Sequence, residues 1–155
     1  MAYIEAAHDE PEGCLFCEVL AGSDDAAAFV LARRGTAFAL LNAYPYNPGH
    51  LMVAPARHVG EIEALSEEEV LDTGRLVQRA VAALREEMNP HGFNLGANLG
   101  RVAGAGIPGH LHWHVVPRWN GDTNFMPVVG QTRVLPESLE DTYRKLMPRF
   151  ESQPG

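Results

Sequence analysis

The run His110-Leu111-His112-Trp113-His114 constrains the fold more than any other stretch of this sequence. Three of the chain's seven histidines alternate there with apolar residues, and side chains on a β-strand point to opposite faces in turn. Read as a strand, the run puts three imidazoles on one face and Leu111, Trp113 and Val115 on the other. Such a strand needs a hydrophobic layer behind it and open space in front. The imidazoles would stand roughly 6.5 to 7 Å apart along the strand, within reach of one small anion or one metal ion. Imidazole changes charge near neutral pH, so the row suits proton transfer, nucleophilic attack or metal binding. On the pattern alone three readings stay open: a chance run on a solvated face, a mononuclear metal enzyme with three histidine ligands, and phosphorus chemistry with one histidine as nucleophile.

The rest of the chain supplies the hydrophobic layer. Its 155 residues suit one domain spanning 1–155, and 46% hydrophobic content provides a core at that size. Residues 1–13 are polar and are expected to form a loosely attached segment without the pattern of a signal peptide. No apolar run approaches the ~20 residues that span a membrane, so a cytoplasmic protein is expected. Cys14 to Leu20 reads as a short helix closed by Gly22, Phe29–Ala32 and Thr36–Leu41 as a hairpin, and His50–Ala54 as a third strand. Ser66-Glu67-Glu68-Glu69 opens the one long helix with a capping box, and Asn89-Pro90 closes it. Val70, Val77, Val81, Leu84 and Met88 give that helix an apolar stripe. Phe93–Leu99 and the histidine strand are expected to pair across Arg101–Gly109, and Pro136–Phe150 forms a last helix that Pro148 should distort or end. Strands, one long helix and further strands, without regular βαβ alternation, predict an α+β fold with a mainly antiparallel sheet.

Charge narrows the partners. Twelve basic against twenty acidic residues give a net charge of −8, which argues against a nucleic-acid binder and would repel a polyphosphate at long range. A nucleotide site must therefore be a local electropositive pocket, with Arg118, the histidines and backbone amides as candidates. Gly104-Ala105-Gly106-Ile107-Pro108-Gly109 matches G-x-G-x-x-G, but a dinucleotide fingerprint opens a helix and this stretch leads into a strand. It reads either as a plain hairpin loop or as a cradle whose amides approach phosphate. Cys14-Leu15-Phe16-Cys17 holds the chain's two cysteines. With no strand before it, the pair reads better as half of a structural zinc site than as a redox motif, and two ordinary buried cysteines are the alternative.

The segment Gly109 to Trp119, with its alternating histidines, two apolar residues and Pro117-Arg118, resembles the signature of the histidine triad (HIT) family of nucleotide hydrolases and transferases. Leu41-Asn42, Asn47-Pro48-Gly49-His50 and His58 resemble that family's nucleoside-side strands, so the likeness runs from about Cys14 to Trp119. A narrower likeness, to the branch with diadenosine tetraphosphate phosphorylases, is carried by Tyr44-Pro45-Tyr46 between Asn42 and His50, by Gly92 to Gly96 with Asn98, and by Arg118 to Phe125. The resemblance implies a homodimer whose sheets run on across the interface. It also implies His58 and His110 as the zinc partners of Cys14 and Cys17. No organic cofactor is expected.

From the resemblance follows a mechanism in which His112 attacks the α-phosphorus and forms a nucleotidyl-histidine. His110, His114 and His50 are its companions, with His114 and His50 assigned to phosphate and transition-state charge. Asn42 corresponds to a ribose contact and Asn98 to a phosphate-side amide, and either residue alternatively ends a turn or strand. Gly104, Ala105, Gly106, Arg118 and Trp119 are expected around the phosphates, although Gly106 and Ile107 stand where relatives carry Gln or a hydroxyl. Trp119 and Phe125 alternatively pack against a partner subunit. The substrate class is thus a nucleotide or dinucleoside polyphosphate, with inorganic phosphate or water as acceptor. The alternatives are a purine nucleotide-binding or signalling module, a phosphoramidase-like hydrolase, and a metal-dependent hydrolase that uses the histidine row as ligands.

Overall fold

The computed structural model describes residues 13–122 and 137–151. A short helix α1 (Leu15–Ala21) precedes the hairpin β1 (Val30–Arg34) and β2 (Ala37–Leu41), then β3 (Leu51–Pro55), the long helix α2 (Glu67–Met88), β4 (Gly92–Gly96), β5 (Trp113–Arg118) and α3 (Leu139–Glu151). The five strands form one antiparallel sheet in the order β1-β2-β3-β5-β4. The α+β fold expected from the sequence is therefore present. Among the described residues no helix is long and apolar enough to cross a membrane.

Strands β2 and β3 are buried at every position, because the sheet is covered on both sides. Ala37, Ala39, Leu41, Leu51, Val53 and Val115 face α2 and α3. Phe38, Leu40, Met52 and Ala54 face the α1 segment with Cys14 and Phe16. An unbroken apolar run in place of alternation is what two-sided burial selects. Helix α3 docks by Leu146 and Phe150, and the Tyr143 hydroxyl donates to the Val30 carbonyl at 2.9 Å.

The capping box forms as read: the Ser66 side chain accepts from the Glu69 N–H, Glu69 accepts from the Ser66 N–H, and Asn89 ends the helix in the left-handed region. The buried stripe of α2 differs from the expected one. It runs through Glu69, Thr73, Leu76, Ala80, Ala83 and Leu84, while Val70 is exposed and Val77, Val81 and Met88 flank the core. Small alanines at the centre let the helix approach the sheet closely, and the valines pack around that contact.

Four further boundaries shift. Arg33 and Arg34 belong to β1, and the hairpin turns at Gly35-Thr36 with Gly35 at φ +50°. The pairing of β4 with β5 is as expected, but β4 stops at Gly96, short of Leu99. Helix α3 continues through Pro148 to Glu151, which removes one backbone hydrogen bond without ending the helix. Strand β5 begins only at Trp113, so His110 and His112 lie in the segment leading into it. Pro136, Phe125 and His8 lie outside the described residues.

Candidate active site

A tight turn delivers the first histidine. Gly49 has φ +89°, and a Cβ there would lie 2.9 Å from Met88 Sδ, so glycine alone fits. His50 follows, 1% exposed, with its N–H on the Asn47 carbonyl. Strand β5 lies beside β3 with His114 opposite Met52, which brings His50 Nε2 to 2.9 Å from His114 Nδ1.

The backbone decides where the protons sit. The Tyr46 N–H donates to His50 Nδ1 at 3.1 Å, so neutral His50 carries its hydrogen on Nε2 and donates it to His114 Nδ1. His114 therefore bears its own hydrogen on Nε2. His112 is the reverse case. Its Nδ1 lies 2.9 Å from the His110 carbonyl oxygen, which can only accept, so the hydrogen is on Nδ1 and the lone pair on Nε2. The His112 and His114 rings stand 5.0 Å apart at 69°. One presents a lone pair and the other an N–H, the complement needed for attack on an electrophile that carries anionic oxygens.

Burial keeps these rings neutral. It pushes His50 down to about 4, helped by the adjacent His114 and His112. It lowers His112 as well, opposed by the hydrogen bond to His110, and lowers His114 together with the nearby His112.

His110 parts company with the other two. Its Nε2–H donates to the Pro55 carbonyl at 2.7 Å, which leaves Nδ1 as a lone pair 3.3 Å from Cys14 Sγ and 3.6 Å from Cys17 Sγ. His58 Nδ1 is 3.4 Å from Cys17 Sγ. The four potential ligand atoms lie within 4.8 Å of one another. Tetrahedral zinc, with Zn–S of about 2.3 Å and Zn–N of about 2.0 Å, separates sulfur from nitrogen by about 3.5 Å, so this set fits the ion. Burial, with Cys14 beside it, pushes the Cys17 thiol up to about 11, and a dication would reverse that by favouring the thiolate. With both His110 nitrogens engaged, the three histidines do not address one centre, which corrects that expectation and removes the three-histidine metal site.

The expected phosphate donors are largely committed elsewhere. Arg118 is paired bidentately with Asp122 (Nε to Oδ2 2.8 Å, Nη2 to Oδ1 2.8 Å) and also donates to Asn94 Oδ1, so its charge is balanced. The N–H groups of Gly104 and Ala105 donate to Arg101 and Gly100 carbonyls within the loop. Gly106 is exposed. Asn98 Nδ2 donates to the Gly104 carbonyl at 3.4 Å, and the backbone N–H of Trp119 donates to Asp122 Oδ2 at 3.1 Å. Asn42 is anchored by the Tyr44 N–H, with its Nδ2 3.5 Å from His50 Nε2. Hydrogens on both atoms make that approach a contact only. His91 is exposed and accepts from the Asn120 N–H.

Three residues were not singled out by sequence reasoning. Phe16 packs against His110 and His112, with ring centroids 5.1 and 4.8 Å away. Tyr46 covers His50 and His114 at 4.7 and 6.3 Å. Asn47 is buried and donates to the Pro117 carbonyl and to Asp122, tying the His50 turn to the end of β5. Phe16 lies inside the cysteine pair and Tyr46 inside the Tyr44-Pro45-Tyr46 motif, so the only signal was their place within segments already marked.

The chain is similar in sequence and fold to known proteins. Residues 23–121 match the HIT domain family model. The chain is 45% identical over 139 residues to the AP-4-A phosphorylase of Mycobacterium tuberculosis, covering 90% of this chain and 71% of that one. A Zn-bound histidine triad family protein from Mycobacterium smegmatis superposes with a TM-score of 0.72 at 29% identity, over 92% of this chain and 96% of that one. A hypothetical histidine triad nucleotide-binding protein from Sulfolobus tokodaii has the same fold, with a TM-score of 0.71, 22% identity and coverage of 89% and 92%.

The depressed His50 sets a pH dependence. Its folded value of about 4 lies below the unfolded 6.5, so the unfolded chain binds more protons between them. The stabilisation from neutral His50 is complete above 6.5 and is lost as pH falls towards 4. The melting temperature should decline across that window, and less steeply in His50→Gln; a wild-type melting temperature flat from pH 6.5 to 4 would contradict it.

Proposed function

Since the chain belongs to the histidine triad (HIT) domain family, we propose that it is an enzyme transferring a nucleotidyl group from a dinucleoside polyphosphate such as diadenosine tetraphosphate to inorganic phosphate. One observation carries the reading: the His110 carbonyl holds the hydrogen of His112 on Nδ1 and leaves Nε2 as a nucleophile. The 45% identity to a phosphorylase named for AP-4-A supports the substrate and the acceptor.

In this reading His112 Nε2 attacks the α-phosphorus, and the bond to the bridging oxygen breaks. The leaving polyphosphate departs with the bonding electrons as a stable anion. The nucleotidyl-imidazole so formed is cationic, and its Nδ1–H remains bonded to the His110 carbonyl, which faces the developing charge. His114 Nε2–H donates to phosphate oxygen, and His50 holds that ring in the donor tautomer. Inorganic phosphate then attacks phosphorus, the N–P bond breaks, and the electron pair returns to Nε2. Asn42 contacts the ribose and Asn98 the phosphates. A homodimer joined at β4, the end of the sheet, and a cytoplasmic location complete the proposal.

Cys14, Cys17, His58 and His110 would hold one zinc ion. Held there, it would supply folding energy and would tie the start of the histidine segment to Cys14 and Cys17, and a closed four-ligand set would leave no position for an activated water. The Pro55 carbonyl orients His110 as a ligand. The Arg57 guanidinium, bound to Glu69 at 2.8 and 3.0 Å, anchors the turn that carries His58.

With diadenosine tetraphosphate and millimolar phosphate, the expected products are ADP and ATP, whereas AMP and ATP regardless of phosphate would show that water is the acceptor. His112→Ala should remove turnover by about three orders of magnitude or more while nucleotide binding persists; near-normal activity would refute the covalent route. Elemental analysis should find one zinc per chain, and Cys14→Ser should lose it and lower the melting temperature. Metal-free protein with an unchanged Cys14→Ser melting temperature would refute the zinc site.

A further inference from the structure

A cavity of about 500 Å³ opens beside His114 on the side of β4. Strand β5 separates it from the ribose residue: His114 pairs with Met52 of β3 on one flank and with Gly96 of β4 on the other. Asn42, at the end of β2, lies on the β3 flank. The reacting histidines thus stand between Asn42 and this cavity.

His114 and Asn98, the phosphate-side residues, form its inner end, and beyond them the lining is not that of a phosphate site. Val116, 6% exposed, and Gly96 form an apolar floor, and the Tyr46 ring, 70% exposed and within 18° of parallel to His114, forms a wall. The charges at the rim, Arg118 and Asp122, cancel in a bidentate pair. The other polar groups are the His114 imidazole, the Tyr46 hydroxyl and the amides of Asn47, Asn94 and Asn98. Asn94 gives its Oδ1 to Arg118 and, among the described residues, has its N–H donors left over. An apolar floor, an exposed aromatic ring, a neutral rim and the Asn94 amide donor fit a planar heterocycle with an acceptor on its edge.

We infer that this cavity is the subsite for the base of the departing nucleotide, so that a dinucleotide straddles β5 with one nucleoside at Asn42 and the other here. The inference rests on the proposed nucleotidyl transfer and adds the selection of two-nucleoside over one-nucleoside substrates. Gly96 offers a direct handle, because among the described residues of one protomer a Cβ there meets nothing within 4 Å.

The test compares kcat/KM for diadenosine tetraphosphate and adenosine 5′-tetraphosphate, which share the adenylyl group and the phosphate chain. The wild type should favour the dinucleotide by about tenfold or more, the scale of one base stacked on an aromatic ring. Gly96→Val should bring the ratio close to one, and Asn94→Ala should lower it severalfold. Should Gly96→Val fail to fold, Asn94→Ala decides alone. A wild-type ratio near one, or a ratio unmoved by the variants, overturns the subsite while leaving the transfer reaction standing. Turnover of neither substrate overturns both.

Discussion

His110 holds two halves of the site together. Its side chain is clamped by the Pro55 carbonyl and points Nδ1 at two cysteines, while its own carbonyl takes the Nδ1–H of His112. Phe16, between those cysteines, packs on both rings. A residue whose side chain is fixed at full burial has little freedom in its backbone, so the acceptor that sets the His112 tautomer is rigid. The candidate zinc ligands and the proposed nucleophile therefore share one hinge. Loosening the cysteine cluster would reach the reaction through the orientation of His112 without any metal touching substrate.

The rest of the fold supplies what the hinge needs. Two-sided burial makes β2 and β3 a rigid platform, and antiparallel pairing of β3 with β5 sets His50 against His114. The Gly49 turn gives His50 its direction, and Asn47 with Asp122 locks that turn to the end of β5. Burial then keeps the imidazoles neutral, the state both the attack and the tautomer chain require. Electrostatics follows the same economy, since Arg118 is neutralised by Asp122 and the histidine N–H groups are left as local donors in a chain of net charge −8.

Much of this was legible because the informative patterns were periodic or local. Alternation of His110, His112 and His114 placed them on one face, and the Ser66 to Glu69 capping box and the Asn89 stop fixed α2. The division of the row was not legible from periodicity, because it depends on which neighbour each ring meets. His110 meets cysteines some 95 residues away in sequence, and only the family resemblance anticipated that meeting. The stripe of α2 departs from the valine-rich one expected because close helix-to-sheet approach favours the smaller alanines at the contact. Arg118, expected among the phosphate donors, has its charge balanced by Asp122 four residues on, a pairing that the alternating strand pattern does not reveal. Tyr46 was missed as a contact because its role is played by a backbone N–H and a ring face, neither of which leaves a mark in composition.

The central claim is a tautomer assignment, so it is read most directly from the ring nitrogens. Long-range proton–nitrogen NMR of the histidine-labelled protein at neutral pH distinguishes a protonated from an unprotonated ring nitrogen at each residue. The account predicts His112 protonated on Nδ1 with a bare Nε2, and His114 and His50 protonated on Nε2. A His112 ring carrying its hydrogen on Nε2, or doubly protonated at neutral pH, would contradict it.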